Sequence, residues 1–402
     1  MRARIGWLAL LLTAGMALLP TTAMAQPLSY EVPRADPVFP VPLYSPKPEL
    51  GGFFFNGEFL YWRQTNPMGR QPVAVRGFLQ TTPLVPGVPA PFFGSGAEAL
   101  NTESVAGPGT YVPGYRMGLG YRFRNGLVAE VVYSHMFNAR YTSGATLFPS
   151  FDQLNNPANT FLFSPVFNFT NDWAGVPDGP FDLVNAYGIW NGADEMSIKF
   201  EQRLDKWDFK FRIPIYETEY DPVQNPDKIG MRCYGIAGLR HYWLWERFKW
   251  RTVDRDAVGQ AEPAWVAEYS NVVSQPMYGP VLGWGGEIYY GHGFALSLDL
   301  YAGAYVNFVR EFIRWERGDQ ATGAKRARRV YTVVGETEAH VNLWWYPIEG
   351  VQVRIGYDVM ALYNTIYSPN PIDFDFNGLA PEFKHKPTRL IDGINVGIGL
   401  IF

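Results

Sequence analysis

Three groups of side chains have types and spacings that could do chemistry. Glu338, His340 and Asn342 alternate onto one face of an extended segment, and His241 stands a short way before Glu246. A carboxylate holding an imidazole is the base half of a hydrolytic site. No serine stands at a spacing that would supply a nucleophile, and a lone histidine on a polar wall is ordinarily a hydrogen-bonded structural residue, so the chain reads as a non-enzyme. Asp373-Phe374-Asp375-Phe376-Asn377-Gly378 puts oxygens at positions one, three and five and glycine at six, the opening of a calcium loop. The twelfth position is Lys384 instead of a bidentate glutamate, so no metal and no cofactor is expected; Asp373, Asp375 and Asn377 stand only as a calcium candidate. Arg314, Arg317, Lys325, Arg326, Arg328 and Arg329 flank a glycine-containing tip at 318–323. Guanidinium forks bind phosphate oxygens bidentately, which makes this a candidate phosphate-binding loop, against the plainer reading of a solvated loop face.

A larger charged set is dispersed along the chain. Glu58, Arg116, Arg122, Glu130, Lys199, Glu201, Arg203, Arg232, Arg240, Glu287, Asp299, Glu336, Glu338, His340, Arg354 and Asp358 each lie on the polar face of a segment that alternates with period two. The elements that position them are therefore strands. The last stretch is the clearest: Ile394, Val396, Ile398, Leu400 and Phe402 share one face, while Gly393, Asn395, Gly397 and Gly399 share the other. Beyond the N-terminal segment no run of about 18 apolar residues occurs, so any membrane crossing must be made by strands. Mean hydropathy is −0.13, as expected where each strand gives one face to lipid and one to a lumen. The expected fold is all-β, an antiparallel transmembrane barrel of about ten strands with long external loops; twelve strands is the alternative.

Residues 1–25 have a basic start, an apolar stretch and Ala23-Met24-Ala25, a secretory signal peptide for Sec-type export. Residues 26–51 hold seven prolines and read as an extended periplasmic arm. The barrel occupies 52–402. Its strands are expected near 53–64, 116–123, 127–137, 195–213, 229–250, 277–290, 294–308, 330–345, 351–363 and 390–402. Segments 66–114, 138–193, 252–271 and 364–389 are expected loops. Asn125-Gly126, Gly291-His292-Gly293 and Pro347–Gly350 make short turns, which share the periplasmic side with both termini. The apolar phase flips between Ile198 or Phe200 and Trp207 or Phe209, so a bulge at Asp205 is expected; a hairpin there would add strands. Cys233 is the only cysteine, so no intramolecular disulfide exists.

Gly238-Leu239-Arg240-His241-Tyr242 with Glu246, Tyr278-Gly279-Pro280-Val281-Leu282-Gly283 before the hairpin at Gly291, and Val353-Arg354-Ile355-Gly356-Tyr357-Asp358 ahead of Pro369 resemble the planctomycete-type outer-membrane β-barrel family. That family is grouped with porin-like pore-forming outer-membrane proteins. The resemblance covers 195–402 and implies the fold, a bacterial outer-membrane location and, more loosely, transport.

Two functions follow. In one, the dispersed charged set lines a narrow polar lumen that passes small hydrophilic solutes, with room beside the glycines of the last strand. In the other, the charges neutralise each other and fill the lumen, and the external loops carry the function. Expected partners are outer-membrane lipid, lipopolysaccharide phosphates at the basic loop, and the barrel-assembly machinery, which reads the terminal strand. With 34 basic against 38 acidic residues, nucleic acid is not an expected partner.

Overall fold

The computed structural model describes residues 52–64, 68–79, 92–105, 111–123, 125–146, 160–166, 190–218, 229–255, 260–291, 293–348 and 350–401. The signal peptide, the proline-rich arm and the closing Phe402 lie outside the described residues. In chain order the strands are β1 (Gly52–Gln64), β2 (Pro72–Leu79), β3 (Phe92–Asn101), β4 (Val112–Arg122), β5 (Val128–Thr146), β6 (Thr160–Phe163), β7 (Asn191–Ala193), β8 (Glu195–Glu217), β9 (Gly230–Val253), β10 (Val266–Gly291), β11 (Phe294–Arg317), β12 (Gly323–Ile348), β13 (Val351–Asn370) and β14 (Glu382–Ile401). Ten of them close in a ring, β1-β14-β13-β12-β11-β10-β9-β8-β5-β4. The ring closes where β1 meets β14, from Phe54 opposite Ile401 to Gln64 opposite Ile391. Closure leaves no sheet edge in the ring's membrane-level wall, the condition for a sheet to stand in hydrocarbon.

The exterior follows from period two in an apolar solvent. Phe53, Phe55 and Phe59 on β1, Trp207, Phe209, Phe211 and Ile213 on β8, Leu296, Leu298 and Leu300 on β11, and Ile394, Val396 and Ile398 on β14 are all exposed. In water such a band would be a severe aggregation liability; in lipid it is the transfer energy that seats the barrel. This is the architecture of an outer-membrane protein. Three short turns at one end carry glycines in the left-handed region, Gly126 at φ 80°, Gly293 at 78° and Gly350 at 74°. A residue with Cβ is strained there, so glycine fixes these tight returns.

Two expectations need correction. No bulge interrupts β8 at Asp205: its ladder with β9 runs without a shift from Glu195 opposite Val253 to Pro214 opposite Tyr234. The irregularity lies across the other ladder, in β5, where Met136 faces Leu204 but the next pair is Ala139 with Gln202. Even-numbered β8 residues point inward from Met196 to Pro214, and Met196, Ile198 and Phe200 are buried. The apparent phase flip is a change of interior, apolar at the outer end and charged in the middle.

The expected loops are also largely strand. The wall continues as β5 to Thr146, β11 to Arg317, β12 from Gly323, β13 to Asn370 and β14 from Glu382. Within 66–114 and 138–193 lie β3, β2, β6 and β7, joined in that order as a second sheet. Their Val73, Ala74, Leu100, Leu162 and Ala193 share an apolar core with Phe248, Trp250, Tyr269, Ile313 and Trp315, inward residues of the barrel's outer end. The second sheet is therefore a cap packed into the mouth. Trp190 is at its centre, with ring centroids 4.9 Å from Trp250, 4.6 Å from Trp315 and 5.4 Å from Phe376.

Candidate functional site

The middle of the lumen is built from inward positions of every wall strand. On β12, Glu336, Glu338 and His340 follow each other at period two, opposite Asp358 of β13. On β8, Lys206, Asp208, Lys210 and Arg212 alternate with the lipid-facing aromatics. Arg240 on β9 reaches across to both groups. Its Nη1 donates to Glu336 at 2.8 Å and to Glu338 at 2.7 Å, and its Nε donates to Asp208. Lys206 Nζ donates to Glu338 at 2.5 Å.

The chain of pairs continues around the lumen. His340 Nε2 is 3.1 Å from Glu338, and its Nδ1 contacts Asp358. Arg116 donates to Asp358 at 2.8 Å and to Glu58 at 2.9 Å, and Arg354 also binds Glu58. Glu130 takes Lys210 at 3.1 Å and Arg212 at 3.0 Å, while Tyr234 donates its hydroxyl to Asp299 at 2.6 Å. Tyr242 and Tyr305 both donate to Glu336. Charges this far from bulk water persist only when each is paired, and here anions and cations alternate. A cavity bordered by Glu58, Arg116, Lys206, Lys210 and His340 measures about 40 Å³. That admits about three water molecules.

Outward from this network lies an apolar layer, including Leu60, Trp62, Leu204, Leu244, Met277, Val334 and Met360. Above it Arg389 binds Glu246, both buried, and then comes the core of the cap.

The structure brings most of the expected lumen residues together. Glu58, Arg116, Glu130, Arg240, Asp299, Glu336, Glu338, His340, Arg354 and Asp358 belong to the network. Arg122, Arg232 and Glu287 face inward nearer the short turns, where Arg232 lies opposite Glu287 in the ladder. Lys199, Glu201 and Arg203 do not line the lumen. They are odd-numbered residues of β8 and sit on the outer wall, because Ile198, Phe200 and Gln202 take the inward positions. The glycines of β14 leave no space either. A Cβ at Gly397 would lie 2.4 Å from Glu58 Cγ, and one at Gly399 2.4 Å from Asn56 Oδ1, so β1 side chains already fill that place.

Of the histidines, His340 is engaged on both nitrogens by carboxylates. His241 points outward, stacked on Tyr278 at 4.3 Å, whereas Glu246 points inward, so the expected pair is never formed. Asp373 and Asp375 are spent on their own turn: Asp373 accepts from the backbone of Asp375 at 3.0 Å and of Ala380 at 2.5 Å, and Asp375 accepts from Asn377 at 3.1 Å. Among the described residues no cluster of three or more His, Cys, Asp or Glu could hold a metal. The expected basic loop is mostly a strand pair. Arg314, Lys325 and Arg329 face outward; Arg317 binds Asp319, Arg326 donates to the Gly378 carbonyl at 2.7 Å, and Arg328 pairs with buried Glu311. The expectation missed Lys206, Asp208, Lys210, Arg212 and Arg389, and set Glu246 beside His241 instead of in the lumen. The first four are signalled by Trp207, Phe209, Phe211 and Ile213, whose lipid-facing parity sends the residues between them inward.

Comparison with solved structures finds outer-membrane barrels. The Escherichia coli outer-membrane protease OmpT aligns over 87% of this chain and 97% of its own, at 11% identity and TM-score 0.36. A mutant of the monoaromatic hydrocarbon channel TodX aligns over 87% and 90%, at 8% identity and TM-score 0.20. An anion-selective porin from Comamonas acidovorans aligns over 88% and 99%, at 10% identity and TM-score 0.14. Likeness at these values extends no further than the barrel architecture, which the strand order establishes by itself. No protein-family model matches the chain, and no curated protein sequence does.

Proposed function

We propose that this is an outer-membrane barrel with a closed lumen, a structural or surface-interaction protein that works through its capped external end. The observation that carries the reading is the run of ion pairs across the lumen, from Glu58 and Arg116 through Asp358, His340 and Glu338 to Arg240 and Asp208. The apolar cap over the same axis supports it. A ten-strand lumen is small enough for side chains to fill. In this reading residues 1–25 direct export, the assembly machinery takes the closing strand, and the resemblance to planctomycete-type barrels bears on location more than on transport.

The porin-like reading, passive passage of small hydrophilic solutes, needs a continuous water path through the same charged zone. Reconstitution of the mature chain in planar bilayers separates the two. The expected record is a flat baseline; discrete, reproducible conductance steps would overturn the closed-lumen reading in favour of the porin.

A further inference from the structure

The outer wall carries a feature that neither lumen reading uses. Where β5, β8 and β9 rise out of the apolar band, Arg203, Arg247, Arg140 and Lys199 converge around two acids, Glu201 and Asp205. Glu201 takes Arg247 Nε at 2.7 Å, Lys199 Nζ at 2.7 Å and Arg140 at 3.6 Å. Asp205 takes Arg203 Nε at 2.7 Å and the Tyr133 hydroxyl at 2.6 Å. The carboxylates are sealed, with 3% and 6% of their side chains exposed, whereas Arg203 and Arg247 keep 34% and Arg140 63%. The acids thus sit behind the guanidinium groups and orient them. Arg203 lies over Trp243 at 4.7 Å and Arg247 over Trp245 at 5.2 Å, which fixes both planes further. Nη1 of each has no partner among the described residues. Four cations against two carboxylates leave two positive charges facing out.

We infer that this cluster is a binding site for a phosphate group carried on a membrane lipid, held in the outer leaflet against the wall of the barrel. Guanidinium groups held in fixed planes with free N–H groups match phosphate oxygens in geometry and charge. The lipid source follows from position. Exposed Ile215, near the short-turn end, lies twelve positions along β8 from Arg203. Tilted strand rises about 28 Å over that length, against an apolar band about 25 Å tall. Arg203 is therefore at headgroup level, with Phe137 exposed beside it and Trp207 and Phe209 exposed below it to receive acyl chains. The site differs from the basic loop expected from sequence, and it does not depend on whether the lumen conducts.

The test uses the folded barrel in detergent, titrated with diphosphorylated lipid A, with the same lipid stripped of its phosphates and with inorganic phosphate, bound ligand being counted by native mass spectrometry. Binding of the phosphorylated lipid is expected to exceed that of the stripped lipid by about tenfold or more. The double substitution Arg203→Gln and Arg247→Gln should remove that difference, while Arg310→Gln, elsewhere on the outer wall, should keep it. Heat-modifiable gel mobility reports folding; should the double variant not fold, Arg140→Gln, which alters an exposed side chain, should still weaken binding severalfold. Equal binding of the two lipids, or unchanged binding by folded variants, overturns the proposal. Inorganic phosphate binding as tightly as the lipid overturns the lipid source.

Discussion

Arg240 joins the most partners in the lumen, and its guanidinium is wholly buried against Asp208, Glu336 and Glu338. Arg240→Met would leave these carboxylates facing one another with Lys206 as the nearest cation. Removing one partner of a buried ionic group costs about 3–5 kcal/mol. The expected result is a lower denaturant midpoint for the detergent-folded barrel, followed by tryptophan fluorescence, and partial recovery when Glu336→Gln and Glu338→Gln are added. A midpoint unmoved by Arg240→Met would mean the network contributes little. Lys386, on β14 above the membrane, makes a different prediction. Burial, and then the charge of Arg389, push its ammonium down to about 8. An ordinary lysine titrates near 10.4. At pH 8 about half of Lys386 is the free amine, so acetylation by an N-hydroxysuccinimide ester, mapped on peptides, should reach it ahead of the other lysines. The sign for stability follows: between about pH 8 and 10.4 the unfolded chain binds more protons at this position than the folded one, so the contribution of Lys386 becomes more favourable as pH rises.

At the scale of elements, β14 and β8 show what alternation can and cannot reveal. On β14 alternation alone makes the glycines look like open space, yet they are where Asn56, Glu58 and Trp62 of β1 lie across the neighbouring strand. Gly397→Leu is therefore expected to block closure instead of narrowing a channel. It would displace Glu58 from Arg116 and Arg354, at a cost of about 1–3 kcal/mol from overpacking before any lost ion pair. The yield of heat-modifiable folded protein should fall; normal yield with smaller conductance would restore the channel. The strands and their order are legible in the sequence because lipid imposes one rule on the whole exterior, and Phe53, Phe209, Leu298 and Ile398 all obey it. The interior has no single rule. Ile198 and Phe200 face the apolar cap while Lys206 and Asp208, on the same face of β8, meet ions, so reading polarity as direction puts Lys199, Glu201 and Arg203 on the wrong side. The cap strands escape the pattern for a related reason: β6 and β7 are very short and are held by packing around Trp190 more than by any alternation of their own.

For the molecule as a whole, the proposed reading closes the lumen twice, by the cap at the mouth and by ion pairs in the middle, with an apolar layer between them. Two closures in series behave unlike one, because removing either leaves the path blocked. Trp190→Ala tests this. Its ring packs on Trp250, Trp315 and Phe376, and truncating a buried tryptophan costs about 3–5 kcal/mol, here borne mainly by the cap. The ring of wall strands does not depend on that contact for closure, which rests on the β1 to β14 ladder. Added protease should therefore cut the cap of the variant faster than that of the parent protein, while heat-modifiable mobility of the barrel persists. Conductance in planar bilayers should stay at baseline, since Arg240, Lys206 and Arg116 still bridge the lumen below. Current appearing in Trp190→Ala alone would show that the ionic layer passes ions and that the cap is the only barrier, which would make the protein a capped porin.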